Sequence, residues 1–258
     1  MELKVFRDAE EVARAAAQLF VEQGRQAVAE SNGFCVALSG GSTPKILYQL
    51  LANPNEPFRQ QIAWDKTLFF FTDERNVPPD HSDSNYRMVY EAMFAHAPKT
   101  NVYRIRGEKH AADAASEYEA ALVEVWGPSD PVFDLVLLGL GEDGHTASLF
   151  PHSPALKESE RLVVAPWVEK LNTYRITMTL PVLNNGKSVV FLVTGASKAE
   201  VLRTVMSTDR KPDLYPAQAI SPTSGAVSWL VDEAAARLCS TSNSSNTGAG
   251  NDLLNKKP

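Results

Sequence analysis

The sequence lacks several features that would assign it to a specialised class of protein. Its 258 residues include two cysteines, Cys35 and Cys239, whose spacing fits neither a disulfide framework nor a zinc site. No apolar run approaches the ~20 residues that a bilayer requires. The first residues, MELKVFRDAEE, are acidic where a secretory signal is basic and then apolar. We therefore expect a cytoplasmic protein with no bound metal.

An excess of positive charge is also missing. The formal net charge of −6 argues against nucleic acid and against acidic membrane surfaces as partners. If the ligand is an anion, the chain must therefore collect positive charge locally. We expect a monomer that acts on a small molecule, without a nucleic-acid or membrane partner.

Apolar runs are present and alternate with helical patterns. Buried strands are predicted at FCVAL (34–38), TLFFFT (67–72), VYRI (102–105), FDLVLLG (133–139), RLVVA (161–165), YRITMTL (174–180), SVVFLV (188–193) and VSWLV (227–231). Most of these strands have apolar residues on both faces, which is typical of strands covered on both sides. The sequence therefore predicts an α/β fold, with a mostly parallel central sheet and helices on both faces.

Helices are predicted over residues 8–29 with Asp8 as cap, after SGGSTP, from Ser84, over 111–126, over SKAEVLRTVM and at DEAAARL. For SKAEVLRTVM, Ser197 and Glu200 have the spacing of a capping box. No linker or repeat divides the interior of the chain. We predict a single α/β domain over residues 1–240 and a flexible Ser-, Asn- and Gly-rich tail over 241–258.

The stretch GLGEDGHT (139–146) contains the G-x-G-x-x-G spacing of a dinucleotide-binding turn. Its context argues against NAD, because Glu142 and Asp143 would repel a pyrophosphate and Pro151 limits any helix that follows. The alternative is a tight loop that presents Asp143 and His145 at the carboxyl edge of the sheet. His145 then either caps a short helix or acts as a general base, with the carboxylate orienting it.

The stretch SGGST (39–43) lies between a predicted strand and a helix start. Gly40 and Gly41 permit a sharp turn that exposes backbone amides, and the hydroxyls of Ser42 and Thr43 add donors. The G-K-[ST] of a nucleotide triphosphate loop is missing, so a small phosphorylated molecule fits better. A plain strand-to-helix turn is the alternative.

Three cations lie near other predicted strand ends. Lys198 stands at a helix start, where the positive end of the helix dipole repels its charge. A bound anion would offset this repulsion. Arg175 interrupts an otherwise apolar strand, and Arg75 follows a buried strand beside Asp73. Each could equally be a solvated charge or half of a salt bridge.

Taken together, these stretches resemble the 6-phosphogluconolactonase family. The resemblance rests on SGGSTP (39–44), FFFTDERNVPPDHSDSNY (69–86), FDLVLLGLGEDGHTASLFP (133–151), RITMTLPVLN (175–184) and VTGASKAEVL (193–202), in the family's order. It covers most of residues 1–240. It implies hydrolysis of 6-phospho-D-glucono-1,5-lactone in the pentose phosphate pathway, without metal or cofactor. It also implies a modified Rossmann-like sandwich, shared with glucosamine-6-phosphate deaminases.

The resemblance places His145 in the catalytic position of the DGHT motif. In the mechanism that we predict, His145 is the general base, Asp143 orients it, and Arg75 or a loop amide stabilises the oxyanion. The substrate phosphate is assigned to Gly41, Ser42, Thr43, Arg175 and Lys198, with further substrate contacts from Gly40 and Asp73. The division of roles between the two arginines is left open.

Two other functions remain as alternatives. A sugar-phosphate deaminase or isomerase shares the D-G-H core, but those enzymes typically continue I-A-F-N-E-P, whose glutamate takes part in proton relay. Here Phe150 precedes the proline, so that carboxylate is missing. A non-catalytic sugar-phosphate-binding relative is expected to have lost the histidine or the phosphate loop, and both are present.

Overall fold

The computed structural model describes residues 2 to 239, so the predicted tail at 241–258 lies outside the described residues. The strands are β1 (Glu2–Phe6), β2 (Phe34–Leu38), β3 (Thr67–Phe71), β4 (Asp73–Arg75), β5 (Asn101–Val102), β6 (Leu135–Leu138), β7 (Val163–Val164), β8 (Trp167–Val168), β9 (Thr173–Met178), β10 (Ser188–Val193) and β11 (Ala226–Asp232). The α-helices are α1 (Ala9–Ser31), α2 (Ser42–Ala52), α3 (Asn85–Val89), α4 (Ala111–Trp126), α5 (Leu180–Asn184), α6 (Ala199–Val205) and α7 (Glu233–Ala236).

The central sheet has seven strands in the order β1-β11-β10-β6-β2-β3-β5. Every neighbouring pair in it is parallel. The predicted parallel sheet is therefore confirmed. Its first strand, β1, was not predicted, because it is short and mostly exposed and its one partner among residues 2–239, β11, is the last strand of the described chain.

Helices cover both faces of this sheet. Successive residues of a strand point to opposite faces, and Phe69 and Phe70 of β3 belong to two different aromatic clusters. Phe69 packs against Phe20 of α1 and Phe94, which follows α3. Phe70 packs against Tyr118 of α4 and against aromatic side chains on that side of the sheet. The prediction of helices on both faces is thus confirmed.

A second, smaller sheet is antiparallel and was not predicted as separate. It joins β4, β9 and β7, and β8 pairs with β9. The predicted strands RLVVA and YRITMTL belong here rather than to the central sheet. The predicted VYRI strand is largely wrong, since only Val102 of that run lies in β5.

The helix ends confirm one predicted cap and correct another. Asp8 caps α1 and accepts from the amides of Glu10 and Glu11, both at 3.0 Å. The predicted Ser197 cap with Glu200 is wrong, because Ser197 lies inside a single helical turn (Ala196–Lys198) that precedes α6. Lys198 occupies the N-cap of α6, and no side chain caps that helix. No helix among residues 2–239 is both long and apolar enough to cross a membrane.

Candidate active site

Four loops meet at the carboxyl ends of β2, β3, β6 and β10, as the parallel order requires. Between them lies a cleft of about 240 Å³. It is lined by the SGGSTP turn after β2, by residues of β4 and α3, by the loop after β6 and by the end of β10 with the turn that follows. Its polar lining includes Ser42, Thr43, Asp73, Arg75, Asn85, His145, Thr194 and Lys198.

The SGGST turn presents an open helix start to the cleft. Gly41 is the N-cap of α2 with φ of 119°, which favours glycine, and no side chain caps the helix. The first amides of a helix have no acceptor within it, so Ser42 and Thr43 have N–H groups available to a ligand. A Cβ on Gly41 would meet only Pro44, at 3.6 Å. The space beside this backbone is therefore free.

Gly40 is required for a different reason. A Cβ at this position would lie 1.8 Å from the side-chain oxygen of Asn85. Asn85 is buried and donates to the carbonyl oxygen of Asp73 at 2.9 Å. Gly40 thus allows the SGGST turn to pack directly against Asn85, which is hydrogen-bonded to Asp73 of β4.

Asp73 is held rigidly in that wall. Its Oδ2 accepts a 2.6 Å hydrogen bond from Ser148, and its Oδ1 accepts from Thr72. The neighbouring Glu74 is buried and accepts from the amides of Asn85 and Tyr86. Burial raises the pKa of Glu74 although these amide hydrogen bonds oppose the shift.

The loop after β6 is built around two glycines. The amide of Gly144 donates to Gly141 and the amide of Gly141 donates to His145, which closes a tight turn. Gly144 has φ of 82°. A Cβ on Gly141 would lie 2.0 Å from Nδ1 of His145, so the imidazole rests directly on that glycine. No helix follows, because Thr146 and Leu149 form an isolated bridge instead; the alternative that His145 caps a short helix is wrong.

Asp143 and His145 form a hydrogen-bonded pair. Nδ1 of His145 lies 2.5 Å from Oδ1 of Asp143. A carboxylate can only accept, so the neutral imidazole carries its proton on Nδ1 and has its lone pair on Nε2. His145 lines the cleft and Asp143 does not. The pair therefore has the geometry of a base and the group that orients it.

Lys170 makes an ion pair with Oδ2 of the same carboxylate. Burial acts to raise the pKa of Asp143, but the hydrogen bonds from His145 and Lys170 outweigh it and hold that pKa well below its usual range. The carboxylate is therefore charged at every pH near neutrality. Its contribution to folding is present above the pKa of an unfolded aspartate, ~3.9, and is lost only as pH falls through the depressed folded value.

Phe150 packs against the imidazole of His145. Its ring centroid lies 4.3 Å from that of His145, with 32° between the planes. The ring is buried, and the ammonium of Lys170 lies 4.7 Å from its centroid. Phe150 therefore gives the histidine ring an apolar packing surface. A carboxylate at the same position would instead interact with the imidazole electrostatically.

Arg75 and Arg175 lie opposite each other in the register of β4 and β9. Arg75 lines the cleft, and its guanidinium donates to the carbonyl of Asp83 at 2.5 Å. Arg175 does not line the cleft. Burial, followed by the charge of Arg75, lowers the pKa of Arg175. Neither arginine has a carboxylate partner within residues 2–239, so an anion at this wall would relieve their repulsion.

Lys198 closes the cleft on the β10 side and has no ion pair among the described residues. The turn that carries it starts at Gly195, with φ of 96°. The amide of Gly195 donates to both carboxylate oxygens of the buried Asp232, at 3.0 Å each. Nearby, the hydroxyl oxygens of Thr194 and Thr43 lie 2.6 Å apart, which joins this turn to the SGGST loop.

The structure thus brings most of the predicted residues to one cleft: Gly40, Gly41, Ser42, Thr43, Asp73, Arg75, His145 and Lys198 line it. Asp143 stands behind His145, and Arg175 stands beside Arg75. Sequence reasoning missed Lys170, Thr194 and the Asn85–Ser148 support of Asp73. Thr194 lies in TGASK, directly after a predicted strand, and Asn85 and Ser148 lie in stretches that carry the family resemblance. Lys170 lies in none of these stretches.

Among residues 2–239, no group of three or more histidine, cysteine, aspartate or glutamate side chains is arranged to hold a metal ion. The charged groups that line the cleft are Asp73, Arg75 and Lys198, a set with two cations and one anion. Such a lining suits an anionic organic ligand, which charge-assisted hydrogen bonds from arginine and lysine would bind.

Comparison with known proteins agrees with this geometry. A 6-phosphogluconolactonase of Synechocystis sp. is 43% identical over 218 residues, which cover 81% of this chain and 86% of the relative. The human 6-phosphogluconolactonase is 38% identical over 242 residues, 92% of this chain and 93% of the relative. A solved 6-phosphogluconolactonase from Trypanosoma cruzi superposes with a TM-score of 0.80 at 30% identity, over 92% of this chain and 96% of that chain.

A family model also matches the chain, independently of any single relative. The model of glucosamine-6-phosphate isomerases/6-phosphogluconolactonase matches residues 7–229. That range includes every residue of the cleft. The chain therefore belongs to the glucosamine-6-phosphate isomerase/6-phosphogluconolactonase family.

Proposed function

We propose that the protein hydrolyses 6-phospho-D-glucono-1,5-lactone to 6-phosphogluconate, the second step of the oxidative pentose phosphate pathway. The observation that carries this proposal is the Asp143–His145 pair, 2.5 Å apart, at a cleft that also holds an uncapped helix start and the cation Lys198. A base and an anion site in one cleft are what a phosphorylated lactone needs. The 6-phosphogluconolactonases that it resembles support the same choice.

In this mechanism, Nε2 of His145 takes a proton from water as the water oxygen attacks the lactone carbonyl carbon. Asp143 accepts from Nδ1 and stabilises the imidazolium that forms. Negative charge develops on the carbonyl oxygen, and Arg75 is the cationic donor of the cleft wall that we assign to it. The tetrahedral intermediate then collapses, the ring oxygen leaves, and the imidazolium returns the proton to it.

The phosphate lies at the opposite end of the sugar from the reacting carbon. We assign it to the amides and hydroxyls of Ser42 and Thr43, beside Gly41, with Lys198 supplying charge. Arg175 was predicted to share this role. Its position beside Arg75, away from the cleft lining, favours a longer-range contribution to the field at that wall.

The deaminase or isomerase activity of the same family is less well supported. Its proton relay uses a carboxylate at the position that Phe150 occupies, and here the ring of Phe150 packs on His145 at 4.3 Å. The direct experiment is turnover of the freshly prepared lactone by purified protein, measured above spontaneous ring opening, with glucosamine 6-phosphate as the second substrate. Release of ammonia without lactone turnover would reverse the assignment. A cytoplasmic location and a monomeric state stay predictions.

Replacing Lys198 by alanine should raise KM more than it lowers kcat. Contacts to a remote phosphate stabilise substrate and transition state alike, so their loss appears as weaker binding. One charge-assisted bond is worth ~1.5–3 kcal/mol, or about 10- to 150-fold. Arg175→Ala should act in the same direction. Steady-state kinetics measures both parameters.

Lys66→Ala serves as the control for Lys198→Ala, because Lys66 donates to Asn32 at the amino end of β3, away from the cleft. The control should leave both parameters unchanged. A large fall in kcat at constant KM for Lys198→Ala would instead move this lysine to the reaction centre.

The protein should bind 6-phosphogluconate and not NAD, despite its G-x-G-x-x-G spacing. The glycines of that loop support His145, and no helix follows to receive a pyrophosphate. In thermal-shift titrations, the sugar phosphate at ~100 times its Kd should stabilise the fold by ~2.7 kcal/mol. Millimolar NAD or NADP should have no effect.

Gly41→Val should remove most of that ligand-induced shift, because the new side chain occupies the space beside the helix start. The matched control is Gly127→Ala, which also has positive φ and open surroundings but lies after α4. Each variant is compared with its own ligand-free baseline. A stabilisation by NAD, or an undiminished sugar-phosphate shift in Gly41→Val, would contradict the loop assignment.

A further inference from the structure

Lys170 lies outside every motif considered above, yet it contacts the groups that hold His145. It is carried by a hairpin of the small sheet, between β8 and β9, whose turn ends at Asn172 in the left-handed region with φ of 49°. Its ammonium pairs with Oδ2 of Asp143 and lies 4.7 Å from the Phe150 ring centroid. Both Asp143 and Phe150 contact the imidazole.

We propose that Lys170 is a positioning residue that sets the proton affinity of His145 through the shared carboxylate of Asp143. This proposal rests on the proposed function, since it assigns His145 the role of general base. Oδ1 of Asp143 faces the imidazole and Oδ2 faces the ammonium, so the two cations compete for one negative charge. Lys170 therefore disfavours the imidazolium and keeps the histidine ready to accept a proton.

Lys170 contacts two groups of the site at once, Asp143 and Phe150. Asp143 is only 30% exposed, and Lys170, at 51%, lies between the carboxylate and the buried ring of Phe150. The adjacent Glu169 is engaged by the indole N–H of Trp167 at 2.8 Å. Glu169 thus has its own hydrogen-bond donor, and the ion pair of Lys170 is with Asp143 of the loop after β6.

Other charged groups also lie around His145, on several elements. Lys170 differs from them because it contacts Asp143 from the hairpin between β8 and β9. From the histidine's own loop the neighbours are Glu142 and Asp143, and Tyr215 packs on Gly144. From the remaining walls of the cleft, the charged groups are Asp73, Arg75 and Lys198. These groups are unchanged when Lys170 alone is substituted.

The test is the pH dependence of kcat/KM in Lys170→Met, which keeps the length of the side chain and removes the charge. Loss of a nearby cation stabilises the imidazolium, so the acid limb should move to higher pH by about 0.5–1 unit. KM on the alkaline plateau should change less than twofold. Lys170→Arg should restore the wild-type limb.

The matched control is Lys187→Met. Lys187 also pairs with an aspartate, at 2.8 Å, and is similarly exposed at 55%, but it precedes β10 at the opposite edge of the sheet. Its acid limb should coincide with that of the wild type. An unmoved acid limb in Lys170→Met would overturn the proposal. If KM also rose several-fold, Lys170 would instead be a substrate contact.

A second readout does not need catalysis. The protein has five histidines, and the imidazole Cε1–H resonance of His145, assigned from its loss in His145→Gln, can be titrated by NMR. In Lys170→Met its midpoint should move upward while the other histidines stay in place. If the wild type fails to open the lactone, the proposed function fails, and this titration still decides the role of Lys170.

Discussion

Replacing His145 by alanine should lower kcat for lactone hydrolysis by about 10²- to 10⁴-fold, which is the usual contribution of a positioned general base. The variant should fold normally, because the side chain is partly exposed and its main support, Gly141, gains space. Circular dichroism and thermal unfolding check the fold. Steady-state kinetics, corrected for spontaneous ring opening, measures the loss.

His110→Ala is the control for that experiment. His110 precedes α4, is exposed, and makes no side-chain cap hydrogen bond. It should keep wild-type kinetics. A folded His145→Ala protein with wild-type turnover would show that the proton is taken by another group, and the mechanism proposed here would be wrong.

The second large effect is expected for Asp143→Asn, with kcat reduced by about 10²- to 10⁴-fold. An amide in place of the carboxylate can donate to the imidazole, which favours the tautomer with its proton on the catalytic nitrogen. It also removes the negative charge that stabilises the imidazolium. A hydrogen bond between residues 143 and 145, now 2.5 Å long, could thus still form. It would favour the tautomer that cannot act as a base at Nε2.

Asp209→Asn is the matched control, because Asp209 also pairs with a lysine, Lys211 at 2.6 Å, on the exposed surface. Its kinetics should not change. If Asp143→Asn kept most of its activity, then Asp143 would serve only to anchor the hairpin through Lys170, and the orientation of His145 would have to come from Phe150 and Gly141.

The parts of the fold that local pattern determines were predictable. The strand FCVAL is apolar throughout and SVVFLV is apolar after its first residue, and the structure has β2 and β10 at those residues. The second sheet was not predicted as separate, although YRITMTL alternates apolar and polar residues, which is the pattern of an antiparallel strand. Whether a strand pairs within the central sheet or outside it depends on long-range contacts that no short window contains.

The residues of the candidate site also divide into those that the sequence pattern located and those that it could not. His145 and the SGGST loop follow apolar strands, so the rule that parallel strands present ligands at their carboxyl ends located them. Lys170 follows no such strand and lies in a polar hairpin that resembles any surface turn. Its contact with Asp143 depends on the small sheet, so it could not be predicted before that sheet was known.

The pairing of β1 with β11 has a consequence for synthesis. Glu2 pairs with Ser228 and Phe6 with Asp232, so the edge of the central sheet forms from the two most distant strands of the described chain. At ~5–20 residues per second, roughly 10 to 45 s separate their appearance at the ribosome. During that interval the β1 segment lacks the partner that it has in the folded sheet. The charges of Glu2 and Lys4, which form a salt bridge on its exposed surface, are the kind of side chain that protects such a strand from pairing with another chain.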